Sequence, residues 1–392
     1  MDFSILWYIP VFLVSLGFVA IVIPAIVRVA NKINLFDVQD GRKVHKGNVP
    51  RLGGISFLPA ILFTLLVVVA VMTRVLPKEI GALHYAPITE IMMAAAGCVV
   101  LYLTGIMDDV IGVSYRSKFV LQILAAGLIC CSGLYITDLH GVLGIYRLHP
   151  LLGIPLTMVM IVFIINSINL IDGIDGLASG LCIFGGVGYA VMFKYFAMDM
   201  NLVLAVSMLG VLLMFYLYNV YGKPGVNKIF MGDTGSLTMG LILAYFAIKL
   251  TCFKEFMPEE KLTDTQLFVY AISVITVPVL DVFRVFFARI VDGKSPFYPD
   301  KRHIHHKLLA LGMSMRQARW AIFTISAAFL GMNILLSFVM KLNVNLVIVV
   351  DLVVWILMNM YISSRVRRLK LQQDEVAISF VDVGKPKSWK RK

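Results

Sequence analysis

Four amide and carboxyl side chains recur at every third position in the segment NSINLIDGIDGLASG, which directly follows an apolar run. They are Asn166, Asn169, Asp172 and Asp175. An ideal α-helix spreads this spacing over half of its circumference, whereas a 3₁₀ turn aligns the four side chains. We therefore predict that residues 166–176 do not form a regular α-helix. Oxygen ligands of this kind suit Mg²⁺, although a polar helix cap uses the same residue types.

Two further acidic motifs lie at the ends of apolar runs. GIMDDVIG places Asp108 and Asp109 at a helix C-terminus, where adjacent carboxylates oppose the helix dipole unless a metal or a lysine lies nearby. A solvated helix end is the ordinary alternative for this pair. MGDTGSL places Asp233 just before a helix, beside glycines that allow a backbone to approach an anion.

Two basic motifs accompany the acidic ones. YPDKRHIHHKLL contains His303, His305 and His306. The adjacent Lys and Arg favour phosphate contact over a zinc site, since they repel a metal and no cysteine lies beside the histidines. An ordinary surface loop is the third interpretation of this motif. The loop DGRKVHKGNVPRLGG, which contains Lys46, is also predicted to face an anion, although its charge equally fits a loop that only sets topology.

The acidic and basic motifs together match the needs of phosphoryl transfer. A metal held by carboxylates bridges phosphate oxygens, and cationic side chains hold the developing charge. Because the motifs lie at the ends of apolar runs, we expect one water-soluble substrate and one lipid substrate. An ion-coupled transporter is the alternative from another class, but transporter acids tend to lie near the bilayer midplane.

Long apolar segments must position these motifs. Apolar residues make up 59% of the 392-residue chain and charged residues only 15%. We predict an all-α polytopic membrane protein with about 11 transmembrane helices. The predicted spans are 5–29, 52–75, 88–107, 117–136, 150–168, 177–198, 200–221, 234–252, 266–287, 318–340 and 343–363.

The distribution of positive charge predicts the orientation of these helices. Most of the 35 Lys and Arg residues fall in alternate loops and in the C-terminal segment, which places the N-terminus outside and the C-terminus in the cytoplasm. We predict a membrane domain, 1–363, with cytoplasmic active-site loops, and a basic cytoplasmic tail, 364–392, lying against anionic lipid. Nucleic acid is disfavoured as a partner, because the basic residues flank helices. The five cysteines have neither metal-ligand nor disulfide spacing.

The motifs resemble those of the polyprenyl-phosphate N-acetylhexosamine-1-phosphate transferases. The matching segments, in this order, are DD at 108–109, NxxNxxDGxDGL from 166, MGDTGSL from 231 and HIHH at 303–306. HIHH resembles the branch that starts teichoic acid, O-antigen of lipopolysaccharide and related cell-surface glycans. The phospho-MurNAc-pentapeptide branch, the alternative within the family, typically has three consecutive histidines.

This resemblance implies a bacterial cytoplasmic-membrane enzyme whose active site faces the cytoplasm. It implies transfer of N-acetylhexosamine-1-phosphate, with GlcNAc as the expected sugar, from a UDP-sugar to undecaprenyl phosphate, which gives undecaprenyl-diphosphate-sugar and UMP. Mg²⁺ is the implied cofactor, with Mn²⁺ as a substitute, and a homodimer is a candidate assembly.

Site residues are carried over by their motif positions. Asp108 would engage the lipid phosphate, and Phe230 would stack on uracil. The implied catalytic residues are Asp108, Asp109, Asp172 and Asp175, and the implied metal ligands are Asp233 and Asp109. The implied substrate-binding residues are Lys46, Asn169, Asn219, Phe230, His303, His305 and His306.

Overall fold

The computed structural model describes residues 5–33, 49–75, 88–253, 262–295 and 301–383. Within these ranges the protein is a bundle of helices with a small antiparallel hairpin of β1 (Asp138–Val142) and β2 (Ile145–Arg147). The helices are α1 (Tyr8–Lys32), α2 (Phe57–Val75), α3 (Ile88–Ile111), α4 (Tyr115–Cys131), α5 (Pro150–Ile171), α6 (Leu177–Tyr195), α7 (Asp199–Tyr221), α8 (Gly232–Thr251), α9 (Asp264–Ser273), α10 (Thr276–Val291), α11 (Ile304–Ala310), α12 (Met315–Ile334) and α13 (Val344–Val383).

The helices confirm an all-α polytopic membrane protein. Eight helices in the described ranges are long and apolar enough to cross a membrane, and the α9–α10 pair, bent by 69°, makes a ninth if it is one span. The predicted number was about 11. The difference lies in α4, which has 17 residues, and in the second predicted span, whose apolar part covers Gly53–Val68.

Helix α8 forms the centre of the bundle and is almost entirely buried between α3, α5 and α6. Glycines allow this close packing. A Cβ on Gly105 of α3 would lie 2.3 Å from Thr234 Cα, and a Cβ on Gly240 of α8 would lie 2.8 Å from Ile165 Cα. Small residues let membrane helices approach in this way. The packing fixes the start of α8 beside the ends of α3 and α5.

The last helix does not stop where the membrane domain was predicted to end. α13 continues through residue 364 to Val383. No Gly or Pro interrupts residues 364–383, so nothing in the local sequence ends the helix there. The predicted boundary between domain and tail therefore falls inside one helix.

Candidate active site

An ion-pair cluster joins α3, α4 and α8 at one end of the bundle. The Lys118 ammonium lies 2.9 Å from Asp108 Oδ2 and also contacts Asp233 Oδ2. The other oxygen of Asp108 accepts a hydrogen bond of 2.7 Å from the Val113 N–H. Lys118 therefore supplies a cation to Asp108 at the end of α3, where a carboxylate opposes the helix dipole.

Asp109 holds the first turn of α8. Its Oδ1 accepts from the Asp233 N–H at 2.8 Å, and its Oδ2 accepts from the N–H and hydroxyl of Thr234 at 2.9 and 2.7 Å. These bonds satisfy donors that a helix N-terminus leaves free. Gly232 has a φ of +70°, and a Cβ there would lie 2.6 Å from Asp109 Oδ2. The GDTGS motif thus fits a carboxylate cap, which orients Asp233.

Residues 172–176 are not helical and separate α5 from α6; we call this segment the break. The prediction of an irregular segment is confirmed for these five residues but is wrong for 166–171, which belong to α5. Asn166 does not need a 3₁₀ turn, because its amide bonds Gln122 Oε1 at 2.6 Å inside the bundle. Asn169 faces the cluster instead, and its Nδ2 donates to Asp233 Oδ1 at 3.2 Å and to Ser236 Oγ at 2.9 Å.

The two aspartates of the break lie in different environments. Asp175 is buried, and its Oδ2 lies 2.6 Å from Lys228 Nζ, while its carbonyl accepts from Arg319 at 2.7 Å. Asp172 contacts solvent in a recess. The surrounding protein removes part of its hydration, and this desolvation with the negative charge of Asp233 raises the pKa of Asp172 to about 7. Asp172 is thus the accessible carboxylate of the pair.

Asn219 and Phe230 connect neighbouring segments. Asn219 Oδ1 accepts from the Gly176 N–H at 2.6 Å, and its Nδ2 donates to the Ile229 carbonyl at 2.8 Å. The half-buried Phe230 exchanges backbone hydrogen bonds of 2.9 Å with residues 50 and 53. The end of the basic loop is therefore fixed beside the start of α8. Lys46 itself lies outside the described residues.

The histidine motif starts α11 beside the break. His303 Nδ1 lies 2.8 Å from Oδ2 of the fully buried Asp281, which also accepts from the Ile304 N–H and from Arg284. His305 is buried against Gly173, where an added Cβ would lie 2.1 Å from its Nε2. Neither of its ring nitrogens has a hydrogen-bond partner among the described residues.

The three histidine rings lie close together. The ring centroids of His303 and His305 are 5.9 Å apart, and those of His305 and His306 are 4.1 Å apart. Burial, reinforced by His306, lowers the pKa of His305 to about 3, so this ring is neutral near pH 7. A neutral imidazole can donate at one nitrogen and accept at the other. Because His305 packs against Gly173, the motif presents this neutral ring to the break at residues 172–176.

Sequence reasoning did not single out four residues of the site. They are Lys118, Lys228, Asp281 and Arg319. A signal existed for Lys118, because the aspartate pair required a nearby cation. A signal also existed for Asp281, because it lies with Arg284 in an apolar run, where charged residues are functional suspects. For Lys228 and Arg319 the local sequence offers no comparable signal.

The cluster has the chemistry of a hard-cation site. Among the described residues, no group of three or more His, Cys, Asp or Glu side chains is arranged to hold a metal ion. The carboxylates of Asp108 and Asp233 nevertheless hold one cation between them, the Lys118 ammonium, and Asp172 lies nearby. Carboxylate oxygens are the ligands that Mg²⁺ prefers, so this donor set fits the predicted metal.

Comparison with known proteins gives the family. Residues 91–251 match glycosyl transferase family 4. A probable undecaprenyl-phosphate N-acetylglucosaminyl 1-phosphate transferase of Bacillus subtilis (strain 168) is 34% identical over 331 residues, which are 81% of this chain and 82% of the relative. The chain belongs to this transferase family.

Other members are similarly related. The undecaprenyl-phosphate alpha-N-acetylglucosaminyl 1-phosphate transferase of Escherichia coli O157:H7 is 31% identical over 78% of this chain and 77% of its own length. The protein of the same name from Salmonella typhi is 30% identical over the same shares. The family match at 91–251 includes the aspartate cluster but not the histidine motif. Membership thus agrees with the resemblance found in the sequence motifs.

Proposed function

We propose that the protein transfers N-acetylglucosamine-1-phosphate from UDP-N-acetylglucosamine to undecaprenyl phosphate and releases UMP. The observation that carries this proposal is the cluster of Asp108, Asp233 and Lys118 at one end of a membrane bundle, in a chain whose relatives bear the corresponding name. The cluster combines carboxylates with a cation at a helix end, where a lipid phosphate and a soluble nucleotide can meet.

The proposed cofactor is Mg²⁺, with Mn²⁺ as a substitute. Asp233 would hold the metal with Asp172, because the two carboxylates are close enough for the charge of Asp233 to raise the pKa of Asp172. Bound Mg²⁺ would neutralise charge on the diphosphate. Asp109 was predicted beside the metal, but both of its oxygens already accept hydrogen bonds from the first turn of α8. We therefore assign Asp109 a positioning role.

The proposed reaction exchanges one phosphoanhydride for another. An oxygen of the lipid phosphate attacks the phosphorus that carries the sugar, the bond to the UMP phosphate breaks, and UMP leaves with the bonding electrons. The acceptor needs little help from a base, because a phosphate monoester with a second pKa near ~6 is mostly dianionic at pH 7. Lys118 and Asp108 would orient it. A two-step route through a covalent aspartate is the other possibility.

The remaining site residues are proposed either to bind the UDP-sugar donor or to position the residues that bind it. His303, His305 and His306, with Lys46, would contact the diphosphate or the sugar. Phe230 would stack on uracil. Asn219 and Asp175 would act through the break itself, because Asn219 bonds Gly176 and Asp175 pairs with Lys228. Asn169 would orient Asp233, to which it donates a hydrogen bond.

The proposed location is the cytoplasmic membrane of a bacterium, with the active site facing the cytoplasm. The bias of Lys and Arg toward alternate loops supports this orientation. The site lies at the same bundle end as the C-terminal part of α13, since Lys307 of α11 donates to Ser363 Oγ at 2.9 Å. If the C-terminus lies in the cytoplasm, as proposed, the site would face the cytoplasm also.

The test is to identify both products. Purified protein is incubated with undecaprenyl phosphate and, separately, UDP-N-acetylglucosamine, other UDP-N-acetylhexosamines and UDP-MurNAc-pentapeptide. We expect mass spectrometry to find undecaprenyl-diphosphate-N-acetylglucosamine and chromatography to find UMP. Release of UDP as the primary nucleotide would contradict transfer of a phosphosugar. A product only with the pentapeptide donor would move the protein to the other branch of the family.

A further inference from the structure

A cavity of about 560 Å³ lies at the end of the bundle opposite the active site. It is a half-open pocket between the β-hairpin, the first turn of α9 and the turn that joins α12 to α13. We call it the distal pocket, and the lining residues that matter here are His140, Tyr146, Thr265, Ser337, Phe338 and Lys341. The hairpin contacts the last residue of α8, since His140 Nε2 lies 3.2 Å from the Thr251 carbonyl. The 20 residues of α8 separate the two sites by about 30 Å.

Unusual backbone conformations surround the distal pocket. In the described part of the chain, the non-glycine residues with positive φ include His140 at 52° and Lys341 at 51°, and both line the cavity. Ser337 and Phe338 belong to a π-helical segment, Leu335–Val339. Positive φ in a side-chain-bearing residue costs free energy, and π-helical turns are frequent at functional sites. Two rare features thus position lining residues of the same cavity.

Hydrogen bonds hold the walls of the distal pocket together. Asn345 Nδ2 donates to the Gly141 carbonyl at 2.8 Å, and its Oδ1 accepts from the Leu143 N–H at 2.7 Å, so the hairpin is fixed to α13. Gln266 Nε2 donates to the Ser337 carbonyl at 3.2 Å and joins α9 to the π-helical segment. These bonds make the cavity preformed.

One serine hydroxyl in a wall of the distal pocket has no hydrogen-bond partner among the described residues. Ser337 is only 3% exposed and lines the cavity, and its Oγ forms no hydrogen bond with any described residue. This hydroxyl is accessible from the cavity and, with that of Thr265 in the same lining, offers hydrogen bonds to a polar ligand.

The charges around the distal pocket favour an anion. Lys341 contributes a cationic side chain to the lining and forms no ion pair within the described ranges, and no described Asp or Glu lines the cavity. The nearby acids Asp138 and Asp264 lie outside the lining. Phe338 supplies an apolar wall beside these groups.

We propose that the distal pocket binds the phosphate group of a lipid headgroup. Lys341 provides the counter-charge, Ser337 and Thr265 donate hydrogen bonds, and Phe338 contacts the adjoining apolar part of the lipid. The cavity lies at the ends of membrane helices, where headgroups are located. This site is separate from the active site, so the proposal does not depend on the proposed transfer reaction.

Photo-crosslinking of the full chain in detergent tests the proposal. The probe is a short-chain phosphatidic acid with a photoreactive acyl chain, and the labelled peptide is identified by mass spectrometry. We expect saturable labelling around residues 335–346. Lys341→Gln should raise the probe concentration needed for half-maximal labelling by about fivefold or more, the effect expected from one basic residue near a lipid phosphate. Lys341→Arg should keep this concentration near the wild-type value. Ser337→Ala should also weaken labelling.

Three controls make the result specific. Arg147→Gln removes an exposed cation from the same hairpin, and Lys118→Met alters the active site, so neither should change labelling at the distal pocket. The matching diacylglycerol, which lacks phosphate, should not compete. If inorganic phosphate competes only at concentrations above that of the lipid probe, the result supports a site for the lipid phosphate. If it abolishes labelling at a concentration equal to or lower than that of the probe, the site binds free phosphate instead of lipid. Equal labelling of wild type and Lys341→Gln, or no labelling at residues 335–346, would overturn the proposal.

Discussion

Lys118 and Asp233 lie 115 positions apart in the chain and form an ion pair at the start of α8. The same ammonium reaches Asp108, so one side chain of α4 joins the carboxylates of α3 and α8. Both partners are mostly buried, and breaking such a pair leaves an uncompensated charge. The pair therefore sets the electrostatics of the proposed reaction centre.

Replacement of Lys118 should abolish most of the activity. In Lys118→Met, Asp108 and Asp233 lose their counter-charge and repel the phosphates of both substrates. We expect kcat/KM to fall by ~10²-fold or more, as when a group that stabilises charge in the transition state is removed. The measurement is UMP release with saturating lipid. Arg116→Met removes an exposed cation two positions away and should be nearly silent. Equal losses in the two variants would contradict a specific role for Lys118.

Activity should require a divalent metal and the Asp233 carboxylate. Asp233→Asn keeps the size of the side chain but cannot neutralise a cation, so we expect activity near background at all Mg²⁺ concentrations. Wild-type protein should lose activity in EDTA and regain it with Mg²⁺ or Mn²⁺. Full turnover in EDTA, or a near-normal rate for Asp233→Asn, would rule out this metal assignment.

The apparent affinity for Mg²⁺ should depend on the protonation of Asp172. The pKa of this carboxyl is raised to about 7, so it is largely neutral below that pH and charged above it. A neutral carboxyl is a poor metal ligand, and we therefore expect the apparent Kd for Mg²⁺ to rise as the pH falls from about 8 to about 6. Titration of activity against Mg²⁺ at several pH values measures this. The dependence should flatten in Asp172→Asn, and an unchanged slope would exclude Asp172.

Replacement of Asp281 should lower the stability of the protein, although this residue lies outside the aspartate cluster. It is fully buried and accepts hydrogen bonds from His303, Arg284 and the Ile304 N–H. Asp281→Ala would leave the Arg284 charge uncompensated, at a cost of ~3–5 kcal/mol in unfolding free energy. We expect a lower thermal midpoint in detergent and a higher KM for the donor. Asp292→Ala, which alters an exposed carboxylate beyond the same helix, should change neither by much.

The sequence was sufficient for an all-α membrane bundle and for the convergence of the acidic motifs, because apolar run length and helix ends are local properties. It overestimated the number of spans, since about 11 were predicted and eight or nine are present in the described ranges. It could not assign individual carboxylates. Asp108 and Asp109 are adjacent in sequence, yet one pairs with Lys118 and the other caps α8. Likewise, Asp172 and Asp175 share a motif, but only Asp175 meets Lys228. These differences depend on which distant helix packs alongside, and single-sequence spacing carries no information about that.

The contact between Gly173 and His305 provides the sharpest test of the link between the break and the histidine motif. Gly173 does not have a positive φ, so alanine should be tolerated by the backbone, but its Cβ would lie 2.1 Å from His305 Nε2. The buried ring must then move, since the added methyl group has no other space. A displacement of about 1 Å can cost ~10²-fold in rate, so we expect Gly173→Ala to fold and insert normally but to lose most of its kcat/KM. Gly17→Ala is the matched control, because no atom lies within 4 Å of its added Cβ. Normal kinetics for Gly173→Ala would show that the position of His305 is not important for transfer.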